Sequence, residues 1–289
     1  MLMAAGLGTR LQPFTSDLPK ALLPVMGVPV AQFSIDLLER FRVPTIVANV
    51  HHLAAKAIEG LHDLGQIVVS DESKQLLGSA GGIVEALPHL GRRFFILNAD
   101  VLCDLNLREL AQVHHSFNGR SGTQLTMVLF PRGPEGEVYR EVLFDSVTGQ
   151  VTGLGEKKCG GTFFTGVSIA EASIFESLEP GRPWEFVPDV LMPAIAKNQV
   201  SAYRAQGSWC DIGSPHLWWK THLDLLKSLA LGTLPPSWRQ RIERKSKRLA
   251  PLWWCSKRTG ADCVPRELIG PTYLDAPLER PKCLLGPRT

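Results

Sequence analysis

Leu2-Met3-Ala4-Ala5-Gly6-Leu7-Gly8-Thr9-Arg10 opens the chain. Apolar, mostly small residues run directly into two glycines, which predicts a buried strand ending in a tight turn. Glycines at such a point allow close backbone approach to a ligand, and their N–H groups can cradle phosphate oxygens. Outward from this turn the pattern alternates. Helical spacing covers 34–40, 53–64 and 107–117, with a further helix over 80–87 behind a run of glycines; apolar strand-like runs cover 45–50, 66–70, 93–98 and 123–130. Strands separated by helices make βαβ units, so the expected fold class is α/β, a doubly wound, mostly parallel sheet with helices on both faces. The glycine turn then lies at the carboxyl end of the first strand, where open α/β sheets bind their ligands.

Past residue 137 the texture changes. Short β-like runs broken by Gly and Pro over 138–167 predict a meander inserted on the core sheet. A helix over 187–196, a strand over 199–204 and a Trp- and Leu-rich helix over 215–229 come next. Leu234-Pro235-Pro236 reads as a linker, dividing a main domain (1–233) from a C-terminal piece (234–289). Charge divides in the same region: residues 1–229 hold 19 Lys/Arg against 23 Asp/Glu, net −4, and 230–289 hold 12 against 5, net +7. The basic excess gathers in 239–248 (RQRIERKSKR) and reads as a solvated connector, so neither nucleic acid nor membrane is an expected partner. In the tail, Leu268-Ile-Gly-Pro recurs as Leu284-Leu-Gly-Pro, a hint of a short left-handed β-helix-like segment with room for one or two coils. So short a segment cannot bury its own Trp253, Trp254, Tyr273 and leucines, which leads to the expectation that it packs on the main domain or on a second copy, giving a homodimer.

The six cysteines form no C-x-x-C pair, so neither a zinc site nor a disulfide framework is expected. No apolar run reaches the roughly 18–20 residues of a membrane helix, and the opening apolar run is too short for a signal peptide. A cytoplasmic protein with reduced thiols is the expectation. His51-His52 and His114-His115 lack a third ligand and read as surface or helix-end residues; Trp218-Trp219 reads as a packing anchor.

The glycine turn is of neither common kind. A dinucleotide fingerprint needs glycine where Leu11 stands, and a P-loop needs glycine where Pro19 precedes Lys20. What remains is a phosphate-binding turn with two cations close behind it, Arg10 and Lys20, suited to a polyphosphate. Gly6 to Lys20 resembles the G-x-G-T-R-L-x-P-x-T-x-x-x-P-K signature of sugar-1-phosphate nucleotidyltransferases. The resemblance continues, in order, through Leu77-Gly-Ser-Ala-Gly-Gly82, Leu97-Asn-Ala-Asp100, Gly155-Glu-Lys157, Phe164-Thr-Gly166 and Trp209-Cys-Asp-Ile-Gly213, covering about residues 1–229.

This resemblance implies a Rossmann-like nucleotidyltransferase sheet and an enzyme that joins a nucleoside triphosphate to a sugar 1-phosphate with release of pyrophosphate. It implies Mg²⁺ held by Asp100 and Asp211. Arg10 and Lys20 would be the catalytic cations, and Ala5, Gly6, Gly8, Thr9, Gln75, Gly78 and Gly82 would seat the nucleotide. Glu156, Lys157 and Gly166 would bind the sugar phosphate. At Lys158 the chain departs from the family, which has Pro after this Lys. A mannose- or heptose-1-phosphate guanylyltransferase is the leading expectation, with an N-acetylmuramate-1-phosphate uridylyltransferase suggested by the stretch from Ala80 to Gly91. Retention of both carboxylates and both cations argues against the remaining alternative, a non-catalytic nucleotide-sugar-binding regulatory subunit.

Overall fold

The computed structural model describes residues 1–131 and 137–246. In chain order the strands are β1 (Leu2–Met3), β2 (Pro24–Val25), β3 (Val28–Pro29), β4 (Ile46–Val50), β5 (Ile67–Asp71), β6 (Arg93–Asn98), β7 (Val101–Asp104), β8 (Leu125–Phe130), β9 (Tyr139–Phe144), β10 (Val151–Lys158), β11 (Phe163–Glu171), β12 (Val200–Arg204) and β13 (Ser208–Asp211). The helices are α1 (Val30–Arg40), α2 (Ala54–His62), α3 (Gly78–Ala86), α4 (Leu107–Ser121), α5 (Met192–Ala196), α6 (Pro215–Leu231) and α7 (Pro236–Ser246).

Nine of these strands form one mixed sheet. β5, β4, β1 and β6 lie side by side and parallel, and β12 is parallel to β8. β11 runs against β6, β8 and β9, and β10 runs against β9. Seven of the nine strands therefore point one way, with β10 and β11 reversed. Chain order reverses at β1, since β4 and β5 spread to one side of it and β6 adds on the other. That is a topological switch point, the place where open α/β sheets bind their ligands.

Strand side chains alternate between two cores, as a period of two requires. Leu2, Ala48, Leu97, Val128 and Ile169 face α1, α2 and α4; Met1, Val47, Ile96, Met127 and Ala170 face α3 and α5. The sheet is thus covered on both faces. A third cluster lies under α6, where Leu11, Val25, Val28, Phe33, Leu102, Ile212 and Trp218 pack together. Trp218 anchors it by donating from its indole N–H to the Pro24 carbonyl at 2.9 Å.

Three expectations are corrected. Only β9 and β10 of the 138–167 region form an outlying hairpin; β11, nine residues long and mostly buried, is an interior strand of the main sheet. Its buried run lacks polar alternation because both faces are covered. Second, Leu234-Pro235-Pro236 is no linker. Leu234 is buried, Pro236 opens α7, and Leu234, Trp238 and Ile242, four residues apart, enter the third cluster. Trp238 meets Phe33 edge-on at 5.8 Å, and Arg241 forms a two-pronged ion pair with Asp36 of α1. Part of the basic run is therefore docked rather than a solvated connector. Third, His114 lies fully buried, with Thr126 Oγ1 2.8 Å from its Nδ1 and Glu171 Oε1 3.3 Å from its Nε2.

The β-helix-like segment, the Trp253-Trp254 pair and the homodimer expected through the tail fall outside the described residues. Among those described, no helix is long and apolar enough to cross a membrane, and Cys103, Cys159 and Cys210 are free thiols.

Candidate active site

The glycine turn leaves β1 at the switch point. Gly8 adopts left-handed backbone (φ 65°) and caps a short 3-10 turn over Thr9–Leu11. Its carbonyl accepts a 2.8 Å hydrogen bond from the Thr15 hydroxyl, and a Cβ at Gly8 would lie 2.9 Å from Thr15 Cγ2. Glycine is required there on both counts. Leu11, at the position where a dinucleotide loop has glycine, is wholly buried in the third cluster and pins the turn to the core. Ala5 is buried behind the turn, whereas Gly6, Thr9 and Arg10 are exposed, with open space around Gly6.

Asp100 stands just past β6 at the same end of the sheet. Its carboxylate forms an ion pair with the Lys20 ammonium, which side-chain burial largely removes from water. Asp211 is brought in by a separate two-stranded ribbon: β13 runs antiparallel to β7, with Asp211 directly opposite Val101. One short pairing thus carries Asp211 from more than a hundred residues away to the neighbour of Asp100. The Tyr139 hydroxyl donates to Asp211 Oδ2 at 3.0 Å, and the Gly213 N–H to Asp211 Oδ1 at 2.7 Å. Burial and the nearby Asp100 charge push the Asp211 carboxyl above its ordinary range, against the opposing pull of the Tyr139 and Gly213 hydrogen bonds and of Lys20. Burial, then the Asp211 charge, drives the Tyr139 phenol upward. Arg10 completes the group, since a Cβ at Gly213 would lie 3.1 Å from Arg10 Nη2.

Two crowded carboxylates raise each other's cost of ionisation unless a cation lies between or beside them. Lys20 and Arg10 supply part of that positive charge. The oxygen-only donor pair also suits a hard divalent ion that completes its shell with water and phosphate oxygens. Among the described residues no cluster of three or more His, Cys, Asp or Glu forms a protein-only cage.

In the loop expected to meet the base, Gln75 is exposed, and Gly78, with φ 75°, begins α3. The glycines here serve packing as well as any ligand. A Cβ at Gly78 would lie 2.6 Å from the Trp184 carbonyl, and one at Gly82 would lie 2.3 Å from Glu72 Oε1. Gly82 is buried, facing Asn49 and Glu72. Segment 182–186 buttresses this loop: the Ala80 N–H donates to the Trp184 carbonyl at 2.9 Å, and the Ser79 hydroxyl to Glu185 at 2.6 Å.

Of the residues expected at the sugar phosphate, Glu156 and Lys157 are exposed on β10, with Lys157 opposite Arg140 of β9. Lys158, the departure from the family pattern, pairs with Glu141 at 2.6 Å across the hairpin. Gly166 (φ 81°) is buried at an irregularity in β11, where a Cβ would lie 2.6 Å from Asn98 Nδ2.

Tyr139, Asn49 and Glu72 were not singled out from sequence. Tyr139 stacks on Phe163 at 4.7 Å and meets Trp209 at 5.8 Å, so its hydroxyl is aimed by two aromatic neighbours. A signal for Glu72 was present: a glutamate close behind the apolar strand-like run 66–70, which the structure buries to 3%.

The nucleotidyl transferase family profile matches residues 1–228. N-acetylmuramate alpha-1-phosphate uridylyltransferase of Neisseria meningitidis serogroup B is 32% identical over 220 residues, covering 74% of this chain and 92% of the relative. The mannose-1-phosphate guanylyltransferase catalytic subunit beta of Xenopus tropicalis is 25% identical over 225 residues, and this chain spans 61% of its length. Among solved structures, HddC from Yersinia pseudotuberculosis aligns with a TM-score of 0.63 at 22% identity, over 77% of this chain and 97% of that one, a likeness of fold. With the profile spanning the glycine turn, both aspartates and the sheet that joins them, the chain belongs to the nucleotidyl transferase family.

Proposed function

We propose that the chain transfers a nucleotidyl group from a nucleoside triphosphate to a sugar 1-phosphate, giving a nucleotide sugar and pyrophosphate. The observation that carries this reading is the meeting of Asp100 and Asp211 through the β7–β13 ribbon, beside Lys20, Arg10 and the glycine turn. A sugar-phosphate oxygen forms the new bond to the α-phosphorus, and the bond from that phosphorus to the oxygen bridging to the β-phosphorus breaks. The nucleophile is already an anion, so the protein needs no general base. Its task is to hold two mutually repelling anions in line and to meet charge on the transition state and leaving group.

Asp100 and Asp211 would hold Mg²⁺, which when bound supplies charge neutralisation at the phosphate oxygens. Lys20, already beside Asp100, would approach the α-phosphate; Arg10 would meet the leaving pyrophosphate. Ala5, Gly6, Gly8 and Thr9 would seat the triphosphate, and Gln75, Gly78 and Gly82 the base. Glu156 and Lys157, exposed on β10, would bind the sugar phosphate, with Gly166 of β11. We place the reaction in the cytoplasm on the nature of its two charged, soluble substrates.

Two substrate pairs are supported. The 32% identity to the N-acetylmuramate 1-phosphate uridylyltransferase, over 92% of that relative, favours UTP with an amino-sugar acid 1-phosphate. Identities of 24–27% to mannose-1-phosphate guanylyltransferases support GTP with a mannose-type 1-phosphate. A panel of four NTPs against several sugar 1-phosphates, read by pyrophosphate release, separates them: one preferred pair is expected, and no pyrophosphate from any pair overturns the reading.

A further inference from the structure

Two buried polar side chains lie behind the site and take no part in the chemistry just described. Asn49, at 1% exposure, lies near the end of β4 beside β1, and Glu72, at 3%, stands just past β5. Asn49 Oδ1 accepts from the Ala4 N–H at 2.9 Å, at the root of the glycine turn. Asn49 Nδ2 donates to Glu72 Oε1 at 2.7 Å. Glu72 Oε2 accepts from the Leu77 N–H at 3.2 Å, at the threshold of the Gly78–Gly82 loop. One chain of three hydrogen bonds therefore connects the loop assigned to the phosphates with the loop assigned to the base. Gly82 makes room for it, since any larger residue would place Cβ 2.3 Å from Glu72 Oε1 and 2.5 Å from Asn49 Nδ2.

A carboxylate among apolar strands is a costly way to fill space, and a well-packed hydrophobic pair of similar volume would often be as stable. What the polar pair supplies instead is direction. Its hydrogen bonds set the spacing of two backbone segments from different βα crossovers, and a fully satisfied buried network holds such segments in a single arrangement.

We infer, on the nucleotidyl-transfer reading above, that Asn49 and Glu72 are positioning residues that hold the phosphate loop and the base loop at one separation, so that a nucleoside triphosphate binds in a single register. They act on the nucleotide through Ala4 and Leu77 and do not touch it. The sugar phosphate, held from β10, is outside their reach.

The test exchanges donor and acceptor within the pair. Asn49→Asp sets two carboxylates against each other, and Glu72→Gln removes the charge and one acceptor. Combining the two substitutions restores every bond. The new carboxylate at position 49 accepts from the Ala4 N–H and from the new amide at position 72, whose oxygen accepts from the Leu77 N–H. Calorimetric Kd for the NTP that the wild type binds best, and KM for both substrates, are measured on the full chain. Each single variant is expected to weaken NTP binding about tenfold or more, the scale of one lost charge-assisted hydrogen bond. KM for the sugar phosphate stays within about twofold, and the double variant returns NTP binding to within about threefold of wild type. Should the single variants fail to fold, the double variant, which keeps every bond, carries the test: NTP binding within about threefold of wild type is expected, and a loss of about tenfold or more there overturns the inference. Unchanged NTP binding in the single variants, or equal losses for both substrates without rescue, overturns the inference alone. A wild type that binds no NTP overturns the parent reading with it, whereas a wild type that binds NTP but releases no pyrophosphate overturns only the parent.

Discussion

The Tyr139 hydroxyl donates to Asp211 Oδ2 at 3.0 Å, from a ring packed against both Phe163 and Trp209. This bond fixes the direction of a carboxylate whose pKa burial and the Asp100 charge raise against its pull. Tyr139→Phe keeps the aromatic packing and removes only the hydroxyl. The Mg²⁺ concentration giving half-maximal activity should rise about tenfold, as when a group orienting a metal ligand is lost. A metal titration of initial rates checks this.

Arg10 is exposed at the mouth of the site and close enough to Gly213 to crowd any side chain there. If its guanidinium meets charge that grows on the departing pyrophosphate, Arg10→Ala should lower kcat about a hundredfold while leaving KM for the sugar phosphate within about threefold. A sugar-phosphate KM that rises alone would move Arg10 to the other substrate.

Fold stability should carry the mark of His114. Burial is the main cause that lowers the pKa of this imidazole, against a weaker upward pull from its bond to Glu171. A histidine lowered in the fold takes up its proton more readily when unfolded. Its penalty is therefore nil above the unfolded value, about pH 6.5, and grows as pH falls from there toward the folded value. His114→Gln should lower stability by about 1–2 kcal/mol at about pH 8 through imperfect replacement of its bonds. It should also flatten the decline of wild-type stability below about pH 6.5. Urea denaturation across that range compares the two slopes.

The positions of the glycine turn, with Arg10 and Lys20 close behind it, and of Asp100 at a strand end were legible in the sequence because each is local; their roles in the site are what the resemblance implies. Asp211 was legible only as a motif, since the β7–β13 ribbon that places it is four residues long on each side and joins segments far apart. Neither strand has a period long enough to stand out. β11 was misjudged as part of a meander because the preceding hairpin and a Gly166 irregularity interrupt a strand buried on both faces. The Pro235-Pro236 pair misled for another reason. Proline breaks a helix interior but suits its first turn, so the same residues mark a linker or a helix start according to whether apolar residues at helical spacing lie beyond them.

Trp238 is the residue that decides between the two, 3% exposed against Phe33 and the third cluster. Trp238→Ala should cost about 3–5 kcal/mol, as for other buried tryptophans. Removing the cation of the docked pair in Arg241→Ala should cost less, because that pair remains partly exposed. Thermal denaturation of both variants orders the two losses; a larger loss for Arg241→Ala would mean that charge rather than apolar packing holds α7.

The proposed transfer is metal-assisted and centred on Asp100 and Asp211. The most direct test of it is the rate of pyrophosphate release from the preferred NTP and sugar 1-phosphate, measured for wild type, Asp100→Asn and Asp211→Asn over a Mg²⁺ titration that begins in excess chelator. No turnover is expected without the divalent ion, and each variant should fall about a hundredfold at saturating Mg²⁺, a loss of about 3 kcal/mol in transition-state stabilisation. Full wild-type turnover in chelator, or wild-type rates in either variant, would contradict it.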